Sequence, residues 1–124
     1  MPSTRTMVVA GGGAVGAACR WFLAESFGPT DWPWALLLMN VVGSFLLGLV
    51  LVRGSSAGRE LLRLGAGVGF CGGLTTFSSF AVAAVRLGED GRSGSAATFV
   101  AGSIVLGAAA LVAGMRVRHA GVRA

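Results

Sequence analysis

Residues 69–80 read Gly-Phe-Cys-Gly-Gly-Leu-Thr-Thr-Phe-Ser-Ser-Phe, an apolar stretch interrupted by a glycine pair and then by hydroxyls. It lies inside a longer apolar run from about Leu61 to Leu87. Polar groups at membrane depth are tolerated only where they are buried in protein or line a cavity. A glycine-interrupted hydrophobic segment therefore points to an ion or substrate site. Breaking a helix strips the last carbonyls of one half, and the first N–H groups of the next, of their partners. Free carbonyls at Gly72 to Thr75 suit a hard monovalent cation. The N–H groups, with the hydroxyls of Thr76, Ser78 and Ser79, suit an anion instead. Phe77 and Phe80, three apart, share a helical face. Phenyl rings present a positive edge that can receive a small anion, although a phenylalanine pair by itself fits ordinary packing.

Other polar residues stand alone in apolar runs. Asn40 falls on one helical face with Gly43 and Leu47, and its spacing fits either a pore wall or an interhelical hydrogen bond. Arg20 is the single charge of the first run. Its long stem can snorkel to the interface, or its charge can pair with an anion, a neighbouring helix or a loop. Ser103 is the main central polar group of the last run. Cys19 and Cys71 lie in apolar surroundings, without metal-site or redox-motif spacing, and read as small buried residues. His119, in a basic tail, reads as solvated.

The elements that must position these residues are membrane spans. Of 124 residues, 54% are apolar and 12% charged, about half the charge usual in a soluble domain, and the mean hydropathy is +0.77. A single all-α membrane domain follows, with four transmembrane helices at about 7–27, 34–52, 61–87 and 96–115. As one continuous helix the third run would measure roughly 40 Å, so it divides into two half-helices meeting near Gly72–Thr76. Short polar turns occupy 25–33 and 88–95, a hydrophilic connection occupies 53–63, and Trp32 and Trp34 mark an interfacial belt. The tail from Arg116 onwards is expected to fray.

Several other classes are excluded. Gly11 to Gly16 matches a dinucleotide-binding fingerprint, but no alternation of strands and helices follows it. Removing the first run as a signal peptide would leave a chain still almost wholly apolar, so a first span fits better. The net charge of +5 is carried by arginine alone. These arginines sit at the ends of apolar runs, without the clustered bases and exposed aromatics of a nucleic-acid surface. No nucleophile–base pair or metal cluster appears, which argues against an enzyme. No span carries a central carboxylate, and proton-coupled transport usually relies on one; this points to a passive pathway.

Four spans place both termini and the 53–63 connection on one side. That side holds Arg5, Arg53, Arg59, Arg63, Arg116, Arg118 and Arg123, against Arg86 and Arg92 on the other. The bias predicts cytoplasmic termini in a cell membrane, and one fixed orientation.

Three motifs in order, Gly12-Gly-Ala-Val-Gly-Ala-Ala-Cys-Arg-Trp21, Asn40-Val-Val-Gly-Ser-Phe-Leu-Leu-Gly48 and Gly69 to Phe80, resemble the helix signatures of the Fluc (CrcB) fluoride channels. The resemblance covers nearly the whole chain. It implies a dual-pore antiparallel dimer that passively exports fluoride from a cytoplasm where HF enters and dissociates. By position it makes Phe77 and Phe80 the pore phenylalanines and Asn40 a donor to the ion. Ser78, Ser79 and Ser103 would belong to a polar track, and Arg20 would lie near the aqueous vestibule. Gly72 and Thr75 would offer backbone carbonyls to a structural sodium ion at the dimer centre. Phe99 stands where family members often carry tyrosine. The arginine bias suggests that the second subunit is an oppositely oriented paralogue rather than an identical copy. The alternatives are a small four-helix multidrug exporter, which would need a mid-span acid, and a non-conducting subunit of a heterodimeric channel.

Overall fold

In the computed structural model, which describes residues 3–51 and 56–123, every regular element is helical. The chain runs through α1 (Thr4–Phe27), α2 (Trp34–Val50), α3 (Ala57–Leu62), a π-helix π1 (Arg63–Cys71), a single turn α4 (Gly72–Leu74), α5 (Phe77–Glu89) and α6 (Ser93–Arg123). Three segments, Thr4–Phe27, Ala57–Glu89 and Ser93–Gly121, are long and apolar enough to cross a membrane. At 17 residues α2 is shorter; it covers about 26 Å at 1.5 Å per residue, against a hydrocarbon core of about 30 Å. Val52 and Arg53, which entered the span and charge readings, lie outside the described residues.

Local chemistry sets the ends. The Ser3 hydroxyl accepts from the Thr6 N–H at 3.3 Å and starts α1, as N-cap serines do. Gly28 closes α1 with φ 61°, a left-handed conformation open chiefly to glycine. Gly91, with φ 73°, does the same between α5 and α6. Beyond Met115 the helix continues to Arg123, so the tail does not fray as expected. Residues 116–123 contain no proline, and most of them tolerate helix well.

Packing relies on backbones meeting at glycine. A Cβ on Gly16 would collide with the Phe70 carbonyl and lie 2.9 Å from the Leu74 nitrogen. This seats α1 directly on π1 and α4, the close approach the first-run glycines suggested. On the other side, a Cβ on Gly48 would lie 3.0 Å from the Met115 nitrogen and 3.1 Å from the Gly114 Cα, which joins α2 to α6. The broken segment is thus gripped by α1 before the break, while α6 contacts α5 after it.

The break itself is narrower than expected. Gly72–Leu74 remain helical, and only Thr75 (φ −84°, ψ 154°) and Thr76 (φ −150°, ψ 120°) are extended. Ahead of it lies π1, nine residues long, which no sequence signal separated from α-helix. Its glycines lower the cost of leaving α geometry, and π segments occur frequently at functional sites. The connection read as hydrophilic loop also carries a short helix, α3. Its Glu60 pairs with Arg5 of α1 at 3.1 Å, an exposed pair that contributes little.

A broken-helix polar site

At Thr75–Thr76 the helical ladder stops. The Thr75 N–H still reaches the Cys71 carbonyl at 2.9 Å, and its hydroxyl donates to the same oxygen at 2.8 Å. The next N–H, on Thr76, turns away and donates to Asn40 Oδ1 at 3.4 Å. Asn40 on α2 therefore supplies the acceptor that the broken helix has lost. The Ser79 N–H donates to Thr76 Oγ1 at 3.2 Å, an N-cap that restarts the chain as α5. Thr76 Oγ1 also lies 3.0 Å from Ser78 Oγ and donates to Ser79 Oγ at 3.3 Å. Three hydroxyls thus cluster at the N-terminus of α5, where the helix dipole favours negative charge. No backbone N–H of residues 76–79 returns to the carbonyls of Gly72, Gly73, Leu74 or Thr75.

Three cavities adjoin this break. One, of about 330 Å³, is lined by Asn40, Thr75, Thr76, Phe77, Phe80, Ser103 and Ile104. The Phe77 and Phe80 rings lie 5.8 Å apart, as their shared face required, and Phe77 is 81% exposed. Ser103 is only 8% exposed, and its hydroxyl has no hydrogen-bond partner. A buried hydroxyl left unpaired costs about 1–3 kcal/mol. A second cavity, of about 420 Å³, is lined by Asn40, Gly43, Ser44, Leu47, Gly67, Val68, Cys71, Gly72 and Thr75. Asn40, Gly43 and Leu47 do share one face. The third, about 590 Å³, brings Ser78 and Ser79 together with Thr30, Asp31, Arg86 and Asp90.

The candidate residues therefore divide. Asn40, Phe77, Phe80 and Ser103 meet in one groove, which Thr75 also lines; Gly72 lines the next, again with Asn40 and Thr75; Ser78 and Ser79 line the third. Arg20 is half-buried on α1 and lines none of them, although Ala24, one turn later, does reach the third. Cys71 is buried and Cys19 half-buried, both as free thiols. His119 is exposed. Arg86 was not singled out from sequence. The available signal was its spacing of seven from Ser79, which puts both on one helical face.

The carbonyls of 72–75, which receive no backbone N–H, are neutral oxygen donors of the kind hard cations take, and the described residues hold no cluster of acidic, histidine or cysteine ligands.

These features define a multi-pass helical membrane protein with a polar site at a broken helix. Residues 7–115 match the family described as CrcB-like protein, Camphor Resistance (CrcB), and the chain belongs to that family. It is 40% identical over 124 residues to a protein of Nitrobacter winogradskyi named fluoride-specific ion channel FluC, covering 94% of this chain and 97% of the relative. A protein of the same name from Novosphingobium aromaticivorans is 43% identical over 122 residues, 92% of this chain and 95% of the relative. A Haloarcula marismortui protein named fluoride-specific ion channel FluC 2 is 44% identical over 97 residues, 78% of this chain and 79% of the relative.

Proposed function

We propose that this chain is a subunit of a passive, fluoride-selective channel that lets fluoride leave the cytoplasm across the cell membrane. The observation that carries the reading is the Ser103 hydroxyl, buried without a partner in the groove formed by Phe77, Phe80 and Asn40. A small, strongly hydrated anion can enter such a groove only if donors replace its water. Ser103 Oγ–H and the Asn40 amide are such donors, and the edges of Phe77 and Phe80 add weaker positive contacts. Ser78, Ser79 and Thr76 continue the donors towards the third cavity. Arg20, near the end of its run, raises the local concentration of anions through its charge. The names of the relatives point to fluoride, and the reading makes the protein a transporter rather than an enzyme.

The exposure of Phe77 and the open groove at Gly72 fit a subunit completed by a second one. In the proposed assembly the partner is antiparallel, and the Gly72 and Thr75 carbonyls of each subunit face the dimer centre. A sodium ion held there would neutralise oxygens that lack N–H partners. The arginine bias favours an oppositely oriented paralogue over an identical copy, with both termini of this chain cytoplasmic. Single cysteines at Ser3 and Ala120, in a background lacking Cys19 and Cys71, should react with an impermeant maleimide only after the cells are opened. Two-sided labelling of the same population, part of it from outside intact cells and the rest only after opening, would overturn the single orientation.

Fluoride efflux from liposomes, followed with an ion-selective electrode, tests the channel. The chain reconstituted alone, or with its paralogue, should release fluoride but not chloride, and the preparation that conducts identifies the partner. Phe77→Ile and Phe80→Ile should each reduce the flux without preventing subunit pairing. No fluoride release from either preparation would overturn the channel reading.

A further inference from the structure

Phe99 is 0% exposed, the one large side chain so completely enclosed among the described residues. It stands on α6 one turn before Ser103, yet it does not line the groove that Ser103 lines. Its ring lies 5.3 Å from the ring of Phe80, tilted by 39°. On its other side, 5.4 Å away, the ring of Trp32 meets it at 89°, the edge-to-face arrangement that aromatic quadrupoles favour. Trp32 in turn lies 4.3 Å from Trp34, and Phe80 lies 5.8 Å from Phe77. Five rings therefore run without a gap from the turn before α2 to the break.

The two ends of this series differ. Phe77 is almost free of neighbours, so Phe80 is held chiefly from behind. The Trp32 end is anchored: the Trp32 carbonyl accepts from Thr30 Oγ1 at 2.7 Å and from the Trp34 N–H at 2.8 Å. The Arg92 guanidinium, from the turn between α5 and α6, donates to the Asp31 carbonyl. An enclosed ring in a close-packed site keeps its rotamer, because neighbours on every side resist displacement.

We infer that Phe99 is the positioning residue that fixes the Phe80 ring in the groove, and that Trp32 is the support behind it. The role rests on the channel reading insofar as Phe80 faces the passing ion, but the ring contacts stand apart from that reading. A ring edge contributes to an anion only when it is aimed, so a loosened Phe80 loses much of its worth to the pathway. Trp32, in the turn before α2, is half-buried.

The test is a 4-fluorophenylalanine probe at position 80, read by fluorine NMR in detergent beside the liposome flux assay. With Phe99 present the probe should give one narrow line. Phe99→Leu should shift and broaden or split that line, and lower fluoride flux by about fivefold to tenfold, with subunit pairing retained. Phe99→Tyr should restore the narrow line and most of the flux, since it keeps the ring. Trp32→Leu leaves Phe99 in place and should broaden the same line, which covers the case of a Phe99→Leu protein that does not fold. A position-80 line unchanged in the folded variants would overturn the positioning role, whether or not the protein conducts. Absence of flux in the unsubstituted protein would overturn the channel reading alone.

Discussion

An Asn40→Asp protein should fold normally and pass almost no anion. The aspartate keeps an oxygen for the Thr76 N–H, which Asn40 Oδ1 now accepts at 3.4 Å, and an ionised acceptor strengthens that bond. The break therefore retains its cap. What changes is the sign of the groove. A unit negative charge about 4 Å from a passing anion costs about 4 kcal/mol at an effective dielectric of 20, close to a thousandfold in rate. The amide donor is lost as well. Efflux measured beside the elution volume of the purified protein checks both halves of this expectation. Flux within about threefold of the unsubstituted protein would show that ions do not pass Asn40.

Gly16→Val acts on the fold instead. The position meets the Phe70 carbonyl and the Leu74 nitrogen, both backbone atoms that cannot rotate away. Forcing extra carbon into such a contact costs about 1–3 kcal/mol, occasionally more, and valine's stiffness leaves little room to adjust. The displacement falls on α4, one residue before Thr75, so the break should move with it. The expected result is a loss of folded protein, with equilibrium unfolding in detergent shifted towards the denatured state and flux lost in parallel. Gly72→Ala is the control, because nothing lies within 4 Å of a Cβ there, and the isolated subunit should keep its stability. Equal stability of Gly16→Val and the unsubstituted protein would contradict the backbone-contact account.

How far the sequence foretold this can be followed through particular residues. The four apolar runs and the turn near Gly28 were legible because hydrophobic length and left-handed glycine are local signals. The face shared by Asn40, Gly43 and Leu47, and that shared by Phe77 and Phe80, followed from helical periodicity. Other features were hidden because they depend on distant partners. Nothing near Gly65 or Gly69 distinguishes π from α geometry, and the close contact of α1 with this segment joins residues far apart in the chain. The bond from the Thr76 N–H to Asn40 joins residues far apart in the chain, and it confines the break to two residues where glycine content suggested a broader one. Trp32 looked interfacial because tryptophan beside a polar turn usually is. Its edge-to-face contact with Phe99 is a separate matter, since only the folded chain brings the two rings together. Ser103 was visible as a polar residue in an apolar run, but its missing partner was not.

The nine residues of π1 carry one further consequence, concerning angular phase. Each residue of an α-helix turns the chain by about 100°, whereas a π segment, with bonds to i+5, turns it by less. The direction in which Thr75 and Thr76 face is therefore the sum of rotations accumulated since Arg63. Conversion of even part of π1 to α-helix would swing the break away from Asn40 with no change at either threonine. Its glycines, and the α1 surface pressed against them, thus act as a setting for the site: they fix the compass bearing at which the broken ends meet the groove.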